Sequence, residues 1–144
     1  MKIETRKFGK IEIDETKIIT MPEGLPGFAG FDRFVLLEDE KIAPFSWFQS
    51  ITEPDLALVI MNPLLFKPDY KVNGLNEFSV TRGWKDTQVS DFLIYVVVNI
   101  SNGKEEQKIT ANLMGPLIIN SKNNEAVQVV MSDSSYSHQH NVLG

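Results

Sequence analysis

The 144-residue chain contains no cysteine, which excludes disulfides, thiolate catalysis and cysteine zinc sites together. Histidine is scarce too. His138 and His140 both stand near the C-terminus, and no Gly-x-Ser-x-Gly nucleophile motif accompanies them. In a polar tail, His138-Gln139-His140 is a poorly preorganised metal site, and no feature selects one carboxylate pair, such as Asp69 with Asp91, for glycosidase chemistry. The expectation is therefore a protein with no catalytic residues, no metal and no cofactor. No stretch approaches the roughly 20 apolar residues of a membrane span. The first seven residues, Met1 to Lys7, lack the apolar run of a signal peptide, so a cytoplasmic location is expected.

Clustered positive charge is also missing. Lysine and arginine number 14 against 19 acids, for a net charge of −5, and no basic run offers the counterion-releasing surface that nucleic-acid binding needs. The acids are unevenly placed. Between Glu12 and Asp55 stand ten of them (Glu12, Asp14, Glu15, Glu23, Asp32, Glu38, Asp39, Glu40, Glu53, Asp55) against Lys17, Arg33 and Lys41, a local net charge of −7 that leaves the rest at +2. Such a segment suits a basic protein partner, because complementary potentials raise association rates and orient encounter. Solubility alone is the plainer use of surface acids.

Long amphipathic helical stripes are absent, since no window of eleven residues keeps an i, i+3, i+4, i+7 apolar pattern free of Gly and Pro. What is present is short apolar runs separated by Gly, Pro and Asn turns, the punctuation of a β protein. Strands are predicted over 2–8, 10–13, 17–21, 33–38, 45–51, 56–61, 77–82, 92–100, 107–113, 117–120 and 126–131. One hairpin is expected to turn at Asn102-Gly103 and another at Asn123-Asn124. Phe92 to Val98 is apolar on both parities and reads as a central strand covered on each face. Any helix should be short, near Asp69 to Asn76 or after Ser132. Ten or eleven short strands in a chain of this length imply one domain spanning 1–144, built as a mainly β, antiparallel barrel-like fold that hides its sheet edges, with a two-sheet sandwich as the alternative. The polar residues 133–144 are expected to form a flexible tail.

Three irregular motifs stand out. In Gly24-Leu25-Pro26-Gly27-Phe28, the glycines permit positive φ and Pro26 fixes its own, so a rigid turn should set Leu25 and Phe28 on apolar surface. Pro44-Phe45-Ser46-Trp47-Phe48-Gln49-Ser50 alternates as a strand, with Phe45 and Trp47 expected toward the core and Phe48 on a mixed face that leaves it a candidate binding anchor. Thr110-Ala111-Asn112-Leu113-Met114-Gly115-Pro116 leads into Leu117-Ile118-Ile119-Asn120. Here Asn112, Asn120 and the later Gln128 read as structural polar hinges whose amides need partners. Trp84, in the polar stretch Arg82-Gly83-Trp84-Lys85-Asp86, is expected at the surface as an aromatic anchor.

Taken in order, with Asn62-Pro63, Pro68-Asp69-Tyr70 and Gln128-Val129-Val130 alongside them, these motifs resemble the flagellar assembly factor FliW family from about Met21 to Tyr136. The resemblance implies a small, monomeric cytoplasmic protein that binds flagellin and also CsrA, an RNA-binding translational repressor, relieving repression of flagellin synthesis by partner switching. It implies no membrane and no direct nucleic-acid contact. The residues offered for the partner surface are Glu38, Asp39, Glu40, Asp32, Phe48 and Trp84, with Gly24, Pro26, Gly27, Phe28, Trp47, Asn112, Pro116 and Gln128 as structural motif positions. Two other classes stay open: a small-ligand barrel with an internal cavity, and a structural subunit of a larger assembly.

Overall fold

A computed structural model describes residues 1–142 apart from 29, 73, 76–78, 81, 85–88, 103–106 and 132–134. Its strands are β1 (Lys2–Thr5), β2 (Gly9–Glu12), β3 (Ile19–Thr20), β4 (Arg33–Glu38), β5 (Ser46–Ser50), β6 (Ala57–Met61), β7 (Phe92–Asn102), β8 (Gln107–Ala111), β9 (Leu117–Asn120), β10 (Glu125–Gln128) and β11 (His140–Asn141). β1 and β2 form a separate hairpin, and the other nine make one sheet.

That sheet closes on itself. Following hydrogen-bonded neighbours from β7 through β6, β5, β4, β3, β10 and β9 returns to β7, because β7 pairs with β9 as well as with β6. All pairings are antiparallel except β3 with β10. β7 reaches this by using two successive partners on one edge: Phe92 to Tyr95 face β9, and Val98 to Asn102 face β8. β8 and β9 thus act as one long partner interrupted at 112–116. The expected barrel is the observed one.

Period-two alternation sorts the core into layers. One parity points inward: Ile19, Phe34, Phe48, Ile60, Leu117, Ile119 and Ala126 fill the barrel with Met21 and Leu25. The opposite parity of β6 to β10, including Met61, Val96, Val98, Ile118 and Val127, lies beneath Tyr70, Val72 and Trp84 of the β6–β7 connection. On the outer face of β4, Val35 packs with Ile51 under Ile3 and Ile13 of the β1–β2 segment. The β7 run is buried on both faces as expected, except at its start, where Leu93 is 44% exposed.

Several expectations change. The strand predicted over 77–82 is not formed at its described positions, since Ser79 and Val80 are helical, as is Leu75. The tip residue Gly103 lies outside the described residues, although β7 and β8 pair as far as Asn102 and Gln107. The second hairpin turns as predicted, with Asn124 at φ 55. The tail expected to be free is docked where it is described. His140 and Asn141 pair with Ala111 and Thr110, Leu113 N donates to Ser137 O at 2.9 Å, and the Tyr136 hydroxyl accepts from Lys71 N at 3.0 Å. Each of these bonds satisfies main-chain groups along β8 or the connection, which gives a polar segment a reason to stay in place.

The parity of β5 is the reverse of the expected one. Phe48 is fully buried inside the barrel, its ring stacked on Phe34 with centroids 4.5 Å apart and planes 10° apart. Trp47 is on the outer face, half-buried, edge-on to Phe8 at 6.4 Å and with the Lys7 ammonium 5.4 Å from its ring. Phe48 is therefore a core residue and not a surface anchor. Truncating Phe48→Ala should remove about 3–5 kcal/mol of unfolding free energy, whereas Trp47→Ala should cost less. Urea denaturation of the two variants checks the order, and a larger loss for Trp47→Ala would contradict the layer assignment.

Candidate functional site

Two motifs distant in sequence meet at one surface. Leu25 to Phe28 is a tight turn in which Phe28 N donates to Leu25 O at 2.9 Å. Pro26 occupies the second position and Gly27, at φ 87, the third, which is the residue pattern of a type II turn. The turn drives Leu25 into the barrel interior and leaves Pro26 and Phe28 outside, Phe28 at 40% exposure.

Opposite this turn, the break between β8 and β9 is organised by Asn112. Its Oδ1 accepts from Met114 N and Gly115 N, each at 3.1 Å. Gln128 then donates from Nε2 to Gly115 O at 2.9 Å, while Val129 N and Met131 N donate to Pro116 O and Met114 O at 2.9 and 2.7 Å. The chain after β10 is thereby stitched to the break. Gly115 lies close against both amides: a Cβ there would lie 2.9 Å from Gln128 Nε2 and 3.0 Å from Asn112 Nδ2, so these side-chain ends would have to shift. Beneath it, the Tyr70 hydroxyl donates to Leu113 O at 2.6 Å, and burial pushes the phenol far above its ordinary pKa.

Between turn and break runs a groove. One part, about 470 Å³, is lined by Pro26, Asn112, Met114, Gly115, Gln128, Val130 and His138. The adjoining part, about 190 Å³, shares Pro26, Asn112 and Gln128 and adds Leu25, Phe28, Leu58 and Val97. Its walls are mostly apolar, with Val130 at 66% exposure. Sequence reasoning missed Met114, Val130 and His138 as neighbours of Pro26, because no local pattern reports that β10's continuation folds back along the β8–β9 break.

The acidic candidates do not form one patch. Asp32 lies at the start of β4 beside the turn, its carbonyl accepting from Met21 N at 2.7 Å. Glu38, Asp39 and Glu40 follow the other end, roughly 20 Å away at about 3.3 Å per strand residue. Glu38 and Glu40 are exposed, whereas Asp39 accepts from Lys41 N at 3.0 Å and caps the 3-10 turn Glu40–Ile42. Glu23 is paired with Arg82. Trp84 is not a surface anchor. It is 7% exposed, tilted against Phe92 at 5.6 Å, and its indole donates to Glu125 Oε2 at 2.9 Å. That carboxylate, 41 residues away in sequence, satisfies the one polar atom that would otherwise have kept the ring in water. His138 is exposed at the groove and His140 stacks on Phe66 at 5.7 Å. Among the described residues, no three acids or histidines are placed to hold a metal, and no helix is long and apolar enough to cross a membrane.

A closed, side-chain-filled barrel with an apolar external groove defines the class, a β protein whose recognisable surface is a shaped cleft. The FliW protein family model matches residues 2–142, and this chain belongs to that family. The flagellar assembly factor FliW of Caldanaerobacter subterraneus subsp. tengcongensis is 39% identical over 144 residues, covering 99% of this chain and 93% of that protein. The flagellar assembly factor FliW of Alkaliphilus metalliredigens is 35% identical, covering 99% of this chain and 86% of that one. A crystal structure of the flagellar assembly factor FliW superposes with a TM-score of 0.86 at 30% identity, over 99% of this chain and 96% of the other.

Because the groove floor depends on the close approach at Gly115, Gly115→Ala should lower stability by about 1–3 kcal/mol, the cost of overpacking. It should also shift the Gln128 side-chain amide signal in a ¹H–¹⁵N spectrum. A variant with wild-type stability and an unmoved Gln128 amide would contradict the packing described.

Proposed function

We propose that this chain is a non-enzymatic, monomeric, cytoplasmic assembly factor that binds flagellin and antagonises the RNA-binding repressor CsrA by partner switching. Free factor engages CsrA and keeps it off the flagellin messenger. Unexported flagellin then occupies the factor, CsrA is released, and flagellin synthesis falls. The observation that carries the reading is the groove between Pro26 and Val130. An apolar cleft on an otherwise filled barrel suits the apolar face of a helix, a common mode of peptide recognition, and flagellin is the partner assigned to it. The filled interior speaks against the rival small-ligand barrel, since Phe34, Phe48 and Ile60 are fully buried there.

For CsrA, the exposed carboxylates of Glu38 and Glu40 are the proposed contact. Negative potential held against a basic RNA-binding surface repels incoming phosphate even where the RNA site is only partly covered.

Calorimetric titration against CsrA and, separately, flagellin monomer at two salt concentrations tests the reading. Submicromolar binding to both is expected, with CsrA affinity falling as salt rises; binding to neither would overturn it. The substitutions separate the surfaces. Val130→Glu should weaken flagellin binding at least about ten-fold, or about 1.4 kcal/mol, because it puts a charge on an apolar wall. Charge reversal at Glu38, Asp39 and Glu40 should weaken CsrA binding, and the double variant E38K/E40K should do so while keeping the Asp39 cap. Unchanged affinity for CsrA in both would remove the electrostatic part of the proposal.

A further inference from the structure

β7 has an open edge at its N-terminal end. β6 stops at Met61, opposite Val96. The chain then leaves the sheet through the 3-10 turn Pro63–Leu65, which Asn62 caps by accepting from Leu64 N at 3.0 Å. On its other side β7 stays paired with β9 back to Phe92. The side chains of β7 alternate between core layers, and its main-chain groups alternate between edges. Ser121 N donates to Asp91 O and Asn112 N to Val97 O, each at 2.9 Å, so the odd-numbered residues turn their main chain toward β8 and β9. Phe92 and Ile94 therefore direct N–H and C=O toward the side that β6 has vacated. Among the described residues, no strand pairs with them there.

The surroundings of this edge fit a ligand. A cleft of about 210 Å³ is lined by Asn62, Leu64, Phe92, Leu93, Ile94 and Tyr95. Leu64 and Leu93 are 51% and 44% exposed, and the adjacent Leu65 is 61% exposed. Three large apolar side chains in water around unpaired strand backbone are what an added strand would cover. A helix has satisfied its own main chain and would gain nothing from the Phe92 and Ile94 groups, whereas an extended segment pairs with them at ladder spacing.

Charge and size narrow the occupant further. Glu38, exposed, ends β4 in the row that runs through Ser46 and Ile60 to Val97, two residues from Tyr95, and its charge adds to burial in raising the Tyr95 phenol pKa. A second copy of this chain would bring the same carboxylate to the same edge. An edge only four residues long is also far short of the roughly 800 Å² per partner that a stable dimer buries. We propose that the vacated edge of β7, at Phe92 and Ile94, is a strand-addition site for an extended segment of a partner protein that alternates apolar and polar residues and carries a basic side chain toward Glu38. The site is distinct from the groove at Pro26 and requires neither flagellin nor CsrA to be the partner.

The test uses the full-length ¹⁵N-labelled chain and a blocked hexapeptide of alternating threonine and valine begun by one arginine. Amide shifts are expected at Phe92 to Tyr95 and at Leu64 and Leu65. Full N-methylation of the peptide's valine and threonine amides should weaken binding at least about ten-fold, the scale of two lost hydrogen bonds. Glutamate in place of the arginine should weaken it as well. Equal binding by the N-methylated peptide would overturn strand addition, and equal binding by the glutamate peptide would overturn the charge assignment. Shifts confined to the Pro26 groove, or none at millimolar peptide, would overturn the site.

Discussion

Barrel closure rests on β7 changing partners along a single edge. A strand paired with one neighbour throughout would leave the sheet open at β8. Here the partner strand is broken after Ala111 and resumes at Leu117, so that β9 can carry the sheet on to β10 and β3. The break would expose main-chain donors, and Asn112 prevents this by accepting from Met114 N and Gly115 N with one oxygen. A short amide side chain that imitates a turn carbonyl is suited to this task. Gln128, the absence of a Cβ at Gly115 and the carbonyl of Pro116 then bind the β10 continuation to the same place. The groove is a by-product of closure: its wall at Met114 and its floor at Gly115 exist because β8 could not run straight into β9.

The same closure accounts for a packed interior. Seven short strands enclose a space that Phe34, Phe48, Met21 and Ile60 fill, and the stacked pair of phenyl rings occupies its middle. Small barrels are packed cores in this way. The open clefts lie on the outside, and the turn at Leu25 links interior and groove. One end of it belongs to the core and the other to the groove wall. Phe28 and Leu25 are joined directly, because Phe28 N donates to Leu25 O across the Pro26-Gly27 turn.

Much of the fold was legible because strand signals are local. β4 and β9 begin and end at the predicted residues, and the Asn123-Asn124 turn is marked by its own chemistry. What escaped depended on partners far away in sequence. The inward face of β5 was misread because Trp47 and Phe48 are equally apolar, and only the hairpin of β1 and β2 over the outer face decides which of them is inside. Trp84 was misread for a similar reason: its neighbours in sequence are polar, but the carboxylate that permits its burial comes from Glu125. The strand pairing of His140 was invisible because a two-residue strand has no periodicity. Of the groove, sequence could mark Pro26, Phe28, Asn112 and Gln128 as unusual, yet not that they face one another.

Charge shows the same limit from a different direction. A local sum of −7 suggests one acidic surface, but it is distributed over both ends of β4 and over loops beyond it. Asp32 and Glu38 are separated by roughly 20 Å along an extended strand, more than twice the Debye length of about 8 Å at physiological ionic strength. Exposed charges so far apart act on a partner almost independently. Part of the set is further occupied within the protein, Asp39 by the 3-10 turn it caps and Glu23 by Arg82. The potential at the Glu38 end is therefore set by two or three carboxylates, a field strong enough to orient a basic partner at close range and too short in reach to attract one from afar. Were that end to meet a basic partner, electrostatics would select among groups already in contact, while the apolar surfaces at the groove and at Leu64 and Leu93 would supply the area.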